Sequence, residues 1–303
     1  MKISVIIPSF NQGNYLEATL QSVIDAGGES EILLIDGGST DDTPEIIDRW
    51  APRLAYAVSE PDAGQADAIN KGLAQAEGDV WCYLNSDDLL EPQSLDLVTN
   101  QFNQHKLDWL SGACVNFDSS GTCGTITPSG ATRDRDYLTP WDRPAQHVFP
   151  FSGACFLSKE VYETIGAFDP TYHYSMDMEY YTRAYFQGGF RQRIIPNTLA
   201  RWRWHEDSKT MRRGIAYGFR EDEVRIAKNY LSYLCSEDRH DVTKSTQQES
   251  RALFARRSMH ALQESKPGIA LKELVQGALS YPSSLLWRPW WGAFRRVSAQ
   301  ALT

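Results

Sequence analysis

The sequence predicts an α/β protein on a mixed, mostly parallel sheet with helices on both faces, followed by a helical extension. Three observations predict it. Short β-branched runs alternate with helix-spaced apolar residues as far as His205, polar residues gather where the runs end, and only helical patterns remain beyond residue 213.

Ile3 to Ile7 form one β-branched run, halted by Pro8, and Glu31 to Ile35 form another, halted by Asp36-Gly37-Gly38. Such runs read as strands buried on both faces. Between them, Asn14 to Ala26 sets Leu16, Leu20, Val23 and Ile24 at helical spacing, which makes a βαβ unit and a parallel pair. Thr43-Pro44 opens another helix, with Pro44 at its first position and Ile46, Ile47 and Trp50 apolar. A third strand follows near Leu54 to Ser59, then a helix over Gln65 to Ala76, then a strand over Asp79 to Leu84. From 110 to 150 the pattern weakens into short strands, Cys114 to Phe117 and Thr122 to Ile126, and a Pro- and Trp-containing stretch that reads as an insertion. Gly153 to Leu157 is a strand, Lys159 to Gly166 a helix, and Met176 to Gln187 a helix carrying Asp177, Glu179 and Arg183. The extension reads as helices over 215–234, 249–264 and 267–280 and a short one from 283, with a loop at 241–249. The division falls into domains 1–212 and 213–303.

With 303 residues, 42% hydrophobic and 23% charged, the chain can fill a sizeable core and lacks the bias of a disordered or coiled-coil protein. No run approaches the ~20 apolar residues of a membrane span, and the start is too short for a signal-peptide core, so a cytoplasmic location is expected. Five scattered cysteines without CxxC spacing indicate neither a disulfide framework nor a zinc site. The net charge of −9 is uneven: residues 1–204 hold 14 basic against 28 acidic side chains, and residues 205–303 hold 16 against 11. An acidic body repels nucleic acid, whose affinity comes from basic side chains releasing phosphate counterions.

Ligands of open α/β sheets bind outside the carboxyl ends of the strands, so Pro8 to Asn11, Asp36 to Ser39 and Asn85-Ser86-Asp87-Asp88 share one rim. Two adjacent carboxylates in a cleft raise each other's pKa and call for a cation. Oxygen ligands without a neighbouring His or Cys suit Mg²⁺ or Mn²⁺, which bind carboxylates together with substrate phosphates. Asp88, ahead of Leu89-Leu90-Glu91-Pro92, can equally cap a turn. A dehydrogenase is disfavoured because no GxGxxG follows the first strand.

The series SVIIPSFNQGNYL at 4–16, ILLIDGGSTDDT at 32–43, EPDAGQADAINKGL at 60–73, DVWCYLNSDD at 79–88 and SMDMEYYTR at 175–183 resembles the family 2 glycosyltransferases. The resemblance implies a GT-A fold, a nucleotide-diphospho-sugar donor, a divalent cation (Mn²⁺ or Mg²⁺) and inversion at the anomeric carbon. Pro8 and Asn11 match the loop that contacts the nucleotide in that family, Asp36 the acid that holds the base, and Asp67, Asn70 and Lys71 the donor-side helix motif. Asn85, Ser86 and Asp87 stand where the family has its DxD motif. Asp87 matches the metal-binding acid, Asn85 departs from the pattern, and Asp88 compensates for the missing carboxylate. Asp177 matches the base, while Glu179, two positions on, points ~200° away on a helix. In RWRWHEDSKT at 201–210, His205 is a candidate metal ligand or phosphate contact and Lys209 a cation for the leaving diphosphate.

The segment 282–297 combines three Trp with three Arg and suits peripheral contact at the inner face of a membrane, or else a terminal helix that buries its Trp. With the first alternative, the acceptor is a lipid-linked saccharide; otherwise it is a glycan. The region 110–150 would face it. The resemblance thus implies transfer of a sugar from a UDP- or dTDP-type donor in surface-polysaccharide synthesis. Two other classes stay open: a sugar-nucleotide-binding module without transfer, which Asn85 keeps alive, and a sugar-phosphate nucleotidyltransferase, against which the first loop lacks a Gly-rich basic signature.

Overall fold

The computed structural model describes residues 1–142, 148–206, 208, 216–263, 266–282 and 288–301. The chain divides into two compact units, one of residues 1–132 and 143–208, the other of residues 133–142 and 209–303.

In the first unit the elements run β1 (Lys2–Ser9), α1 (Gly13–Asp25), β2 (Glu29–Asp36), α2 (Thr43–Trp50), β3 (Tyr56–Ser59), α3 (Gln65–Gln75), β4 (Val80–Tyr83) and β5 (Leu89–Leu90). They continue with α4 (Ser94–Gln104), β6 (Trp109–Asp118), β7 (Gly121–Ile126), β8 (Cys155–Ser158), α5 (Lys159–Ile165), α6 (Met176–Phe186) and β9 (Gln192–Arg203). The strands form one sheet in the order β3-β2-β1-β4-β8-β6-β9-β5, with β7 paired to β6. β3, β2, β1 and β4 are parallel, as are β6 and β9, while β8 runs antiparallel to both neighbours. The sheet is therefore mixed, and its parallel half is the part the β-branched runs predict.

Ile3, Val5, Ile7, Ile32, Leu34, Val80 and Cys82 join Leu16, Leu20 and Val23 of α1 in the main core. Glu31 closes the rim opposite the strand ends that bear the polar motifs. Its carboxylate accepts from the Ser4 hydroxyl at 2.6 Å and from the backbone of Glu77 and Gly78 at 2.7 and 3.1 Å, and pairs with Lys2 at 2.5 Å. Burial opposes this charge, but the Lys2 ammonium and the other donors together bring the acid below its ordinary value.

Three elements escape the sequence reading. β5 and α4 lie between the strand ending at Leu84 and residue 110, where no element is assigned from sequence. β9 contains Pro196, and a proline survives in a strand only at an edge or a bulge. Pairing with β6 slips around it, Ser111 facing Ile194 and Ala113 facing Thr198, so the imino nitrogen falls outside the ladder. Gly112 makes the bulge possible, since a Cβ there would stand 2.7 Å from the Asn197 carbonyl. β6 is also longer than the short strand expected at 114–117.

The second unit holds α7 (Ala216–Tyr230), α8 (Ser236–Gln263), α9 (Pro267–Ser280) and α10 (Arg288–Ala301). The loop expected at 241–249 is wrong: α8 runs straight through it. Low helix propensity there is overridden by tertiary contacts. Arg133 pairs with Asp238, Arg135 with Asp241 at 2.7 Å, and the Trp141 indole donates to Ser245 at 2.8 Å. The region 110–150 is thereby split, residues 133–142 belonging with the helices. Trp290, Ala293 and Val297 of α10 are buried with Ala270 and Leu274 of α9 and Ala255, Ala261 and Leu262 of α8. Within 282–297, residues 283–287 lie outside the described residues. Among the described residues no helix is long and apolar enough to cross a membrane.

Glu31→Ala strands the Glu77 N–H, leaves the Gly78 N–H to Ser4 Oγ alone and Lys2 to the exposed Glu77, and should cost about 1–3 kcal/mol at pH 7. Because the folded acid sits below its unfolded value, its contribution is present above the unfolded pKa and is lost as pH falls through the folded one. The difference in melting temperature between wild type and variant should therefore shrink from pH 6 to pH 3 in thermal melts.

Candidate active site

The carboxyl ends of β1, β2 and β4 and the first turn of α6 carry the polar motifs. Pro8 lies inside β1, buried and paired with Ile35, so it shapes the rim by its backbone. Two residues past the strand, Asn11 adopts a left-handed φ of 53°, a conformation Asn tolerates. Its amide oxygen accepts from the Thr40 N–H at 2.9 Å, and its own N–H donates to Ser39 Oγ at 2.7 Å. Asp36 ends β2 fully buried, and its charge is met by the Ser39 hydroxyl, the Ser39 N–H at 3.0 Å and Ser59 Oγ at 2.6 Å. Gly38, at φ 82°, makes the turn that brings Ser39 back to that carboxylate.

α3 starts beside this rim. Asp67 accepts from the Ala63 N–H at 3.1 Å, and Lys71 reaches Glu60 at 2.7 Å and Asp67 at 3.7 Å. Those two acids, Glu60 foremost, hold the ammonium above its usual value. Asn70 is engaged differently: its amide donates to the Phe168 carbonyl at 2.9 Å and accepts from the Phe168 N–H at 2.8 Å, as a neighbouring strand would. Phe168 in turn stacks on Tyr180 of α6, with centroids 4.0 Å apart.

The acidic turn after β4 is held from several sides. Asn85 accepts from the Gln65 amide at 2.7 Å and donates to Asp88 Oδ2 at 2.9 Å. Asp88 Oδ1 accepts from the Arg203 N–H at 2.9 Å, so both its oxygens are engaged inside the protein. Burial and the neighbouring Asp87 charge push Asp88 well above the usual carboxylate range. Beneath the turn, the Thr19 hydroxyl of α1 points at the carbonyls of Ser86 and Asp88, at 2.9 and 2.8 Å. Ser86 itself is buried.

Asp87 faces the other way. His205 Nε2 donates to its Oδ2 at 2.9 Å, and the Arg203 Nε donates to its carbonyl at 2.8 Å. The Arg203 guanidinium lies between the rings of Tyr15 and Phe117, at 5.0 and 4.6 Å, and Tyr15 also packs on the His205 ring at 4.6 Å. His205 Nδ1 is buried without a hydrogen-bond partner. Asp177 occupies the first turn of α6, where the helix end favours negative charge. Its carboxylate reaches the neighbourhood of β4: the buried Tyr83 phenol is raised well above its normal pKa by burial, by Asp177 and, more weakly, by Asp88. Glu179 is turned inward to Arg183 at 3.1 Å. Lys209 lies outside the described residues.

Thr19, Tyr15, Gln65 and Arg203 were not singled out from sequence. Thr19 had a signal, a hydroxyl on the same helix face as Leu16, Leu20 and Val23. Arg203 stood two residues from His205, and only β9 pairing brings its backbone onto Asp88.

Residues 4–166, more than half of the chain, match the family model described as Glycosyl transferase family 2. The chain belongs to glycosyl transferase family 2. Its similarity to an uncharacterized glycosyltransferase of Nostoc sp. is 30% identity over 182 residues, 56% of this chain and 55% of that one. The PGL/p-HBAD biosynthesis glycosyltransferase of Mycobacterium bovis BCG is 30% identical over 187 residues, 60% of this chain and 69% of that protein. The match thus spans about half the length of the Nostoc relative. Among solved structures, Staphylococcus aureus TarS 1–349 in complex with UDP-GlcNAc superposes with a TM-score of 0.59 at 16% identity, covering 92% of each chain. The mannosyltransferase PcManGT of Pyrobaculum calidifontis, in complex with GDP-Man and Mn²⁺, gives 0.54 at 18% identity over 99% of this chain and 84% of that one. At these identities the likeness shows the family 2 fold.

Thr19→Val keeps the shape of the side chain and removes the donor under two buried carbonyls. It should destabilise the protein by about 1–3 kcal/mol in urea unfolding.

Proposed function

We propose that this chain transfers a sugar, with inversion, from a UDP- or dTDP-type nucleotide-diphospho-sugar to a hydroxyl of a saccharide or lipid-linked saccharide, with Asp177 as the base. The observation that carries the reading is the family 2 match over residues 4–166, whose strand ends bear the acidic turn with Asp87 beside His205 at 2.9 Å, while Asp177 stands in the first turn of α6. In this reading the acidic turn serves the leaving group and Asp177 the attacking hydroxyl, the division an in-line displacement requires.

Asp87 and His205 supply two donors of the divalent cation in this reading, and among the described residues no cluster of three or more His, Cys, Asp or Glu is formed for a metal. Asp87 Oδ2 and His205 Nε2 are 2.9 Å apart, and the unpartnered Nδ1 leaves the ring free to change tautomer when Nε2 gives up its hydrogen. Asp87 and His205 would hold the ion, with Asp88, committed to Asn85 and Arg203, behind them. An imidazole beside a carboxylate favours Mn²⁺ over Mg²⁺. When bound, the cation neutralises charge on the departing diphosphate.

The remaining work falls to this chain. Asp36 and Asn11 present the nucleotide side of the rim, with Pro8 fixing its backbone. Asp67, Lys71, Asn85 and Ser86 border the sugar-diphosphate side, and Asn70 orients the segment that leads into α6. Lys209 would add a cation to the leaving group. Asp177 accepts the acceptor hydroxyl's proton as the new glycosidic bond forms and the bond to diphosphate breaks. The mycobacterial relative, named a PGL/p-HBAD biosynthesis glycosyltransferase, supports glycosyl transfer as the reaction. Nucleotide-sugar complexes of TarS and PcManGT support the donor class.

A thermal-shift screen against UDP-, GDP-, dTDP- and CMP-sugars, with and without Mn²⁺, tests the donor class; stabilisation should require one nucleotide sugar and the cation together. Asp177→Asn should lower kcat by about 10²–10⁴-fold with donor affinity nearly unchanged. Loss of both together would remove Asp177 from the role of base. Asp87→Ala should abolish the Mn²⁺-dependent part of the donor shift.

A further inference from the structure

Helix α9 is apolar on two sides. Ala270, Leu274 and Gly277 are buried within the helical unit, Gly277 so close to α8 that a Cβ would stand 2.8 Å from that of Phe254. The other side carries Leu271, Val275 and Leu279, spaced by four and 41%, 49% and 77% exposed. Residues four apart on a helix stack on one face, so these side chains form a continuous ridge. A helix of a globular protein that is apolar all round is ordinarily covered, and an exposed apolar patch rimmed by polar groups marks a docking surface.

We propose that this ridge docks the chain on the surface of an anionic membrane. The argument is charge complementarity. α9 and α10 together carry Lys272, Arg288, Arg295 and Arg296 against one acid, Glu273, which lies 3.7 Å from Arg257 of α8. Lys266, just ahead of α9, is exposed, as are Lys272 on the ridge side and Arg295 and Arg296 on α10. Trp291 is 41% exposed, whereas its neighbour Trp290 is buried. Exposed aliphatic side chains with Lys272 beside them, on a unit whose neighbouring helix exposes two Arg and an indole, match the composition of an interfacial surface.

A second copy of the chain fits less well. Three aliphatic side chains fall far short of the ~800 Å² per partner of a stable interface, and apposed ridges would bring like charges together. The sequence reading put membrane contact on 282–297. In α10 Trp290, Ala293 and Val297 are buried, as the alternative reading of a terminal helix has it, while Trp291 is exposed, and the aliphatic face that meets solvent is on α9.

The test uses the full chain and vesicles of phosphatidylcholine alone or with about 30% phosphatidylglycerol. Cosedimentation should occur with the anionic vesicles only, and should weaken several-fold as salt rises from about 0.05 to 0.5 M, as screening requires. The double variant Leu271→Glu/Leu279→Glu changes exposed positions, so its circular dichroism and melting should match wild type while binding falls at least tenfold. Failure of wild type to bind anionic vesicles, or full binding by the double variant, overturns the proposal. So does a self-association of wild type, seen by sedimentation, that the double variant abolishes. No donor or acceptor is needed, so an inactive transfer assay would leave this result standing.

Discussion

Asp87 and Asp88 set two carboxylates side by side where water is largely excluded, and much of the surrounding structure answers that repulsion. Such a pair cannot both remain charged without compensation. The two acids divide the problem. Asp88 turns inward, where the Asn85 amide and the Arg203 backbone meet its oxygens and burial drives it toward its neutral form. Asp87 faces His205 and the rim. Arg203 binds both halves through different atoms, its backbone N–H on Asp88 and its Nε on the Asp87 carbonyl. Its guanidinium is fixed between two rings, so the cation beside the pair does not drift.

This explains why β9 must exist as a strand although its sequence reads poorly as one. Leu89 pairs with Arg201 and Leu90 with Ala200, so the short strand after the acidic turn is registered against the segment that supplies Arg203 and His205. The Pro196 bulge is tolerated upstream because β6 absorbs it at Gly112. Parallel strands buried on both faces announce themselves as unbroken aliphatic runs, so β1, β2 and β4 were legible. A strand with Pro, Asn and three arginines, stable only because neighbours on two edges complete its hydrogen bonds, has no local signature. α8 fails for the opposite reason: its Thr and Ser residues suggest a loop, but Ser250 and Thr243 bond back to the preceding turn and Ser258 reaches the Ala270 carbonyl.

Motif spacing located the rim because the rim is made at strand ends, where sequence and position coincide. It could not apportion the side chains. Asn70 sits within a motif that suggests donor contact, yet its amide forms two bonds with the Phe168 backbone. Through Phe168 and Tyr180 it fixes the approach of α6, a role that depends on chain 98 residues away and leaves no trace in local pattern. Thr19 is similar, a hydroxyl on a core face whose acceptors lie in a turn 67 and 69 residues on.

Asp177 gains its significance from what surrounds it. Tyr83, Tyr181 and Cys155 all sense its charge, and burial lifts each of them, Cys155 to about 12 and the two phenols well above their ordinary values. None of these three is an anion at neutral pH, so none of them adds negative charge beside the carboxylate. The first turn of α6 adds a favourable dipole. The acidic turn, by contrast, keeps one of its two carboxylates inside the protein, and α6 is held to the sheet by the Asn70–Phe168–Tyr180 stack. The two halves of the site thus differ in electrostatic character before any ligand arrives, which is the asymmetry that separating leaving-group and nucleophile roles demands.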